Sequence, residues 1–156
     1  MRAVIQRVER ASVTTAGKEI ARIGKGMLAL VAIAGEDSQR DLEWMGKKIV
    51  ELRIFDDMAG RLNLSLRDVG GQLLLVSQFT LLGDCRKGRR PSYSDAAPPA
   101  KAQALYDAFV DIARQWVPDV QSGQFQATME VELVNSGPVT LIIDSRWRFG
   151  TRDIAR

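Results

Sequence analysis

Met27 to Ala34 (MLALVAIA) is apolar at every position. A run this short and this uniform predicts a central strand covered on both faces, so the chain must place material on each side of a sheet. Around it the pattern alternates. Residues 2 to 14 alternate, with Val4, Gln6, Val8 and Glu9 marking a half-buried strand that has a polar face. Thr15 to Lys18 (TAGK) is a hairpin signal, Lys18 to Ile23 a short second strand, and Gly24-Lys25-Gly26 the next turn. Phe125 to Val134 also alternates, with Ala127, Met129, Val131 and Leu133 on one face and Thr128, Glu130 and Glu132 on the other. Asn135-Ser136-Gly137-Pro138 breaks that strand and Val139 to Ile143 resumes it.

Two segments switch to helical spacing. Gly35-Glu36-Asp37 leads into the first, where Ser38 followed by Asp41 makes a capping-box start. Leu42, Met45, Ile49 and Leu52 line one face of it. Arg53 to Phe55 is extended and Asp56 to Gly60 (DDMAG) is a turn. Pro98-Pro99 opens the second helix, which runs to about Trp116 with Leu105, Phe109, Ile112 and Trp116 as its inner stripe, and Pro118 stops it. With 156 residues, 46% of them hydrophobic, the chain has the size of one domain with a real core. The predicted fold is mixed α/β: a single domain with a curved, barrel-like β-sheet and two main α-helices packed outside. The tail SRWRFGTRDIAR, Ser145 to Arg156, has no core pattern and reads as loosely held.

The chain has no histidine and a single cysteine, Cys85. That excludes a Ser-His-Asp triad, a Cys-His pair, a histidine zinc site and a thiolate zinc cluster. The lone cysteine suits a reducing compartment. No apolar run approaches a bilayer span, and MRAVIQRVERASV lacks the apolar segment of a signal peptide, so the chain reads as cytoplasmic. Net charge is only +3, but Arg86, Lys87, Arg89 and Arg90 fall together in CRKGRRPS. Such a cluster is a solvated loop or a phosphate-contacting one. It lies in a connection, Gly83 to Pro99, of 17 residues, longer than a simple link needs.

LLLVSQFTLLGD, Leu73 to Asp84, is the segment that asks for chemistry. Leu73 to Val76 reads as a buried strand, Ser77 and Gln78 interrupt it, and Phe79 to Leu82 carry it on. Ser77 and Thr80 serve either to satisfy local backbone groups or to sit at a site. No histidine exists to activate a serine, whereas a bent strand end offers backbone N–H groups, and two such donors make an oxyanion hole. Asn135-Ser136-Gly137-Pro138 is either a tight turn or rigid main chain presented to a ligand, with a cis Gly-Pro bond among its options.

Taken together, IQRV…ASV, VSQFTL, RRPSY and NSGPVT occur in one chain in the order of the bacterial D-aminoacyl-tRNA deacylases, the D-tyrosyl-tRNA deacylase family, which this sequence closely resembles. The resemblance covers about residues 1–144, through FDD…GRLNLSL and ALYDAFV, and leaves 145–156 as a C-terminal extension. Ser136 departs from the commoner Asp of the Gly-Pro motif. The resemblance implies hydrolysis of the ester of D-aminoacyl-tRNA and glycyl-tRNA to free amino acid and tRNA, a translation quality-control activity, in a homodimer, with no metal or other cofactor and no membrane. It implies that Gly137 and Pro138 form a cis peptide that enters the other subunit's site and rejects L substrates by clash. It gives Arg7 the part of fixing that motif. Ser77, Gln78, Phe79 and Thr80 become the catalytic segment, with N–H groups around Gln78 and Phe79 holding the carbonyl. Arg86, Lys87, Arg89 and Arg90 become tRNA-binding residues. The readings that compete with it are an editing module of other specificity, a non-catalytic RNA-binding protein and a small-ligand barrel.

Overall fold

The computed structural model describes residues 1–149. β1 (Arg2–Thr15) is the spine of the fold. One edge of it pairs antiparallel with β8 (Glu130–Asp144) along nearly its whole length. The other edge is shared: β3 (Gly26–Ala32) pairs with residues 2–8 and β2 (Lys18–Ile23) with residues 11–15. β6 (Gln72–Ser77) lies parallel to β3, and β7 (Val120–Ser122) parallel to β6. β2 comes back against β6 and β7, so the six-stranded sheet nearly closes into a barrel. A small hairpin, β4 (Phe55–Asp56) with β5 (Leu62–Leu64), stands apart.

The uniformly apolar run does what its composition demands. Met27, Ala29 and Val31 of β3 join Leu73 and Leu75 of β6 in the large core under the helices. Leu28 and, from β6, Leu74 and Val76 turn the other way, into an inner cluster with Val8 and Val13. Each strand is covered on both faces, as a strand with no polar side must be. α1 (Gln39–Glu51) and α2 (Pro99–Trp116) close the outer face side by side. Gly46 allows their close approach, because a Cβ there would stand 3.0 Å from Ile112 Cγ2.

α1 begins as its capping box predicts, with Asp41 accepting from the Ser38 N–H (3.1 Å) and hydroxyl (3.0 Å). Ser38→Ala is expected to cost about 1 kcal/mol, read as a lower urea midpoint with unchanged slope. In α2, Phe109 and Ile112 are buried as expected, whereas Leu105 and Trp116 are only half-buried. The fully covered line adds Tyr106, Val110 and Ala113. Burying Phe109 or Ile112 contributes roughly 1.5–3 kcal/mol each.

Several features differ from the sequence-based expectations. β5 and β7, three residues each, are too short to show a period. β8 starts at Glu130 rather than Phe125, although side-chain exposure alternates from 125 onward. It also runs through Asn135–Pro138 as one strand instead of breaking there and resuming at Val139, because the partner β1 continues beside it. The start of the tail is held: Ser145 is buried, its N–H donates to the Met1 carbonyl (2.9 Å), and α3 (Arg146–Phe149) comes next. Phe149 meets Trp44 edge-on at 6.0 Å, with the Arg40 guanidinium 3.7 Å from its ring. The rest of the tail, 150–156, lies outside the described residues.

Candidate active site

β6 stops at Ser77, and the expected continuation through Phe79 is not a strand. Phe79–Leu82 form a 3-10 turn. The Gln78 N–H makes the last sheet bond, to the Val31 carbonyl at 2.7 Å, and β3 ends at Ala32. With no strand left to pair, the chain folds back on itself: Leu81 N–H donates to Gln78 O (3.2 Å) and Gly83 N–H to Thr80 O (3.0 Å). A helical turn leaves its first N–H groups without internal partners. Here they belong to Phe79 and Thr80, and neither has an acceptor among the described residues. This corrects the expected donor pair. The Gln78 N–H is committed to Val31, and the open pair moves one residue on.

The turn borders a cleft of about 630 Å³ lined by Ser77, Gln78 and Phe79 together with Tyr93, Phe125 and Met129. That volume lies in the range of small-molecule sites. Phe79 is 53% exposed, and its ring meets Tyr93 edge-on at 5.2 Å. Thr80 stands beside the cleft without lining it, and its Oγ1 accepts from Gln78 Nε2 at 2.6 Å. Two anchors lie outside the cleft, one on β6 and one on the turn. The buried Tyr106 hydroxyl donates to Leu75 O (2.9 Å), and burial pushes its pKa up, so it remains a donor. Arg2 Nη1 donates to Leu81 O (2.9 Å) while its Nε holds Asp144 Oδ2 (3.0 Å). Burial works to raise the Asp144 carboxyl, yet hydrogen bonds and charge from Arg146 and Arg2 hold it down to about 2.

Gly137 and Pro138 are elsewhere. Between the pairs Gln6–Thr140 and Val8–Asn135, β1 has only Arg7 while β8 has residues 136–139. The surplus bulges out of the ladder, with an exposed cis Gly137–Pro138 peptide. Arg7, 7% exposed, sits behind the bulge. It donates to Ser136 O (3.2 Å), Gly137 O (3.5 Å), Ile54 O (2.7 Å) and Asp56 Oδ2 (3.3 Å). Asn135 Nδ2 closes the base, donating to Arg7 O and Val139 O at 3.0 Å each. None of Arg7, Gly137 and Pro138 lines the cleft of the same chain.

A family model described as D-Tyr-tRNA(Tyr) deacylase matches residues 4–144. The chain belongs to this deacylase family. The D-aminoacyl-tRNA deacylase of Thermosipho africanus is 53% identical over 146 residues, 94% of this chain and 98% of that protein. That of Kosmotoga olearia is 54% identical over 149 residues, 96% of this chain and 100% of the relative. Among solved structures, a c-Myc DNA unwinding element binding protein aligns at TM-score 0.89 and 40% identity, covering 93% of this chain and 99% of that one. A probable eukaryotic D-amino acid tRNA deacylase aligns at TM-score 0.81 and 20% identity, covering 92% and 98%, and shares the fold.

In this deacylase-family chain the basic loop springs directly from the 3-10 turn. Asp84 and Ser92 exchange both backbone hydrogen bonds (2.7 and 3.0 Å), which pinches the loop at its base, and Gly88 turns the tip at φ +70. Asp84 grips Arg86 with both oxygens, Nε to Oδ1 at 2.9 Å and Nη2 to Oδ2 at 2.7 Å. The Arg86 hydrogen bonds hold the Asp84 carboxyl well below the usual carboxylate range. Arg86, Lys87 and Arg90 line a second cleft of about 600 Å³ with Asp84 and Ser92, and Arg89 stands on the same loop outside that lining. The sequence reading missed Tyr93 and Met129 in the first cleft and Arg2 and Tyr106 behind it. Tyr106 left one signal: a hydroxyl three residues before Phe109, on the helix's apolar stripe. Among the described residues no group of three or more His, Cys, Asp or Glu is placed to hold a metal ion, and no helix is long and apolar enough to cross a membrane.

Proposed function

We propose that this protein hydrolyses the ester between a D-amino acid, or glycine, and the 3′ end of tRNA, as a cytoplasmic homodimer. The observation that carries this reading is the open N–H pair of Phe79 and Thr80 where β6 ends at the cleft, in a chain of the deacylase family. Water attacks the acyl carbon and the ester carbonyl becomes an oxyanion. The Phe79 N–H, with Thr80 beside it, donates to that oxygen, which needs no histidine. The acyl–oxygen bond then breaks, and the departing ribose oxygen takes a proton. A neighbouring ribose hydroxyl of the substrate itself helps to activate the water. Ser77 orients water or substrate. Thr80 is not a covalent nucleophile in this scheme, since its hydroxyl is engaged by Gln78.

Gly137-Pro138 of one copy enters the cleft of the other and crowds the amino acid's α-carbon. An L side chain collides with it, a D side chain points away, and glycine has none. Two features support a second copy. The motif lies outside its own chain's cleft, and Leu141 and Ile142, farther along the same strand, are 38% and 58% exposed. Residues 1–144 form the deacylase domain in this reading, with 145–156 as an extension.

The test is deacylation of D-Tyr-tRNA beside L-Tyr-tRNA by purified protein without added metal. Release of the D form alone is expected. Equal release of both would remove the chiral gate. No release of either, with nucleic-acid binding intact, would favour a second reading, a non-catalytic nucleic-acid-binding protein. The 40% identical c-Myc DNA unwinding element binding protein is the observation that favours it.

A further inference from the structure

We propose that the loop 84–92 is a clamp for the phosphates of a single-stranded RNA 3′ end, built from Lys87, Arg89 and Arg90, and that Asp84 withholds Arg86 from the RNA. This rests on the function proposed above and divides a cluster that the sequence presents as four equal cations. Arg86 has its Nε, its Nη2 and its backbone N–H all on the Asp84 carboxylate. The Arg86 side chain is 84% exposed, but the bidentate pair has a net charge near zero and so attracts a phosphate less than an unpaired cation does. Lys87, Arg89 and Arg90 are exposed, and none has a salt bridge or hydrogen bond among the described residues. Arg86 is therefore already paired, the Asp84–Ser92 backbone bonds hold the loop's base, and the other three cations are its working charges.

The two clefts suit consecutive parts of one strand. The first is lined by Phe79 and Tyr93, flat rings that suit an unstacked base, and the second begins at the adjacent residue, Ser92. A terminal nucleoside in the first cleft leaves the preceding phosphates beside the second. Lys87 and Arg90 line that second cleft beside the Asp84–Arg86 pair, and Arg89 lies between them in sequence.

The experiment is a salt titration of binding between the intact protein and a short single-stranded RNA ending in CCA. Three phosphate contacts predict that affinity falls roughly 20-fold between about 50 and 200 mM salt. Replacing Lys87, Arg89 and Arg90 together with alanine is expected to flatten that dependence. Arg86→Ala is expected to weaken binding because it uncovers the Asp84 carboxylate, and adding Asp84→Asn to it is expected to restore wild-type affinity. If Arg86 contacts phosphate itself, the double variant stays as weak as Arg86→Ala, and the division of roles is overturned. A flat salt response of the wild type, or tighter binding to duplex DNA than to the RNA, would overturn the clamp. Hydrolysis of D-Tyr-tRNA with a flat salt response would sink this inference and leave the proposed activity standing. No hydrolysis with a steep, three-cation response would do the reverse.

Discussion

Phe79→Pro is expected to slow release of D-tyrosine from D-Tyr-tRNA by about 10²–10³ relative to Phe79→Ala. The comparison isolates one hydrogen. Both variants lose the ring that meets Tyr93, but only proline also removes the Phe79 N–H. Proline fits the backbone there. Phe79 is the first residue of the 3-10 turn, a position that tolerates proline, and the preceding Gln78 is already non-helical at φ −145 and ψ 76. The loss should fall on kcat, because an oxyanion donor acts more strongly on the transition state than on the bound ester. Equal rates for the two variants, with native circular dichroism, would show that this N–H holds no oxyanion. Gln78→Pro is a poorer probe, since it breaks the sheet bond to Val31.

Arg7→Met should lower stability by about 3 kcal/mol and, if the bulge is the chiral gate, erase the preference for D over L substrate. Methionine keeps length and apolar bulk but offers no donor. The carbonyls of Ile54 and Ser136 then lose their partner, at a cost of about 1–3 kcal/mol each. The Asp56 ion pair adds little to that figure, because the Asp56 side chain is 52% exposed and water screens it. Asn135 still ties Arg7 O to Val139 O, so the β1–β8 ladder survives on either side. Urea unfolding gives the first number, and the ratio of D- to L-Tyr-tRNA deacylation the second. Arg7→Lys should recover part of the stability, since an ammonium can still reach one or two of the carbonyls. Unchanged unfolding of Arg7→Met would mean that the arginine does not brace the bulge.

Much of the fold is legible in the sequence, for reasons that differ by element. β3 is visible because a strand covered on both faces has no polar residue. α1 and α2 are visible because their starts carry Ser38 with Asp41 and Pro98-Pro99, and their faces keep helical spacing. The odd polar pair Ser77-Gln78 marks the end of β6 but does not reveal the turn beyond it. A strand and a 3-10 turn read alike over Phe79–Leu82, because four residues are too few to display a period. The cleft's far wall, at Phe125 and Met129, reads as one more strand, since its side chains do alternate while its backbone turns.

The sequence by itself determined the class of sheet, the two helices, the exclusion of histidine chemistry and the order of motifs that marks the family. Those properties are local or compositional, so neighbouring residues suffice to state them. Tertiary structure alone decided which donors are free and which charges are available. Gln78 loses its N–H to Val31, 47 residues earlier, and Arg7 finds Ser136, 129 residues later. Hydrogen-bond partners of that separation are set by the register of the sheet and leave no trace in the spacing of either segment. Even between near neighbours, Asp84 takes Arg86 and not Lys87 because the pinched base of the loop aims that carboxylate. Four adjacent cations look alike in a sequence, and only the fold says which one already has a counterion.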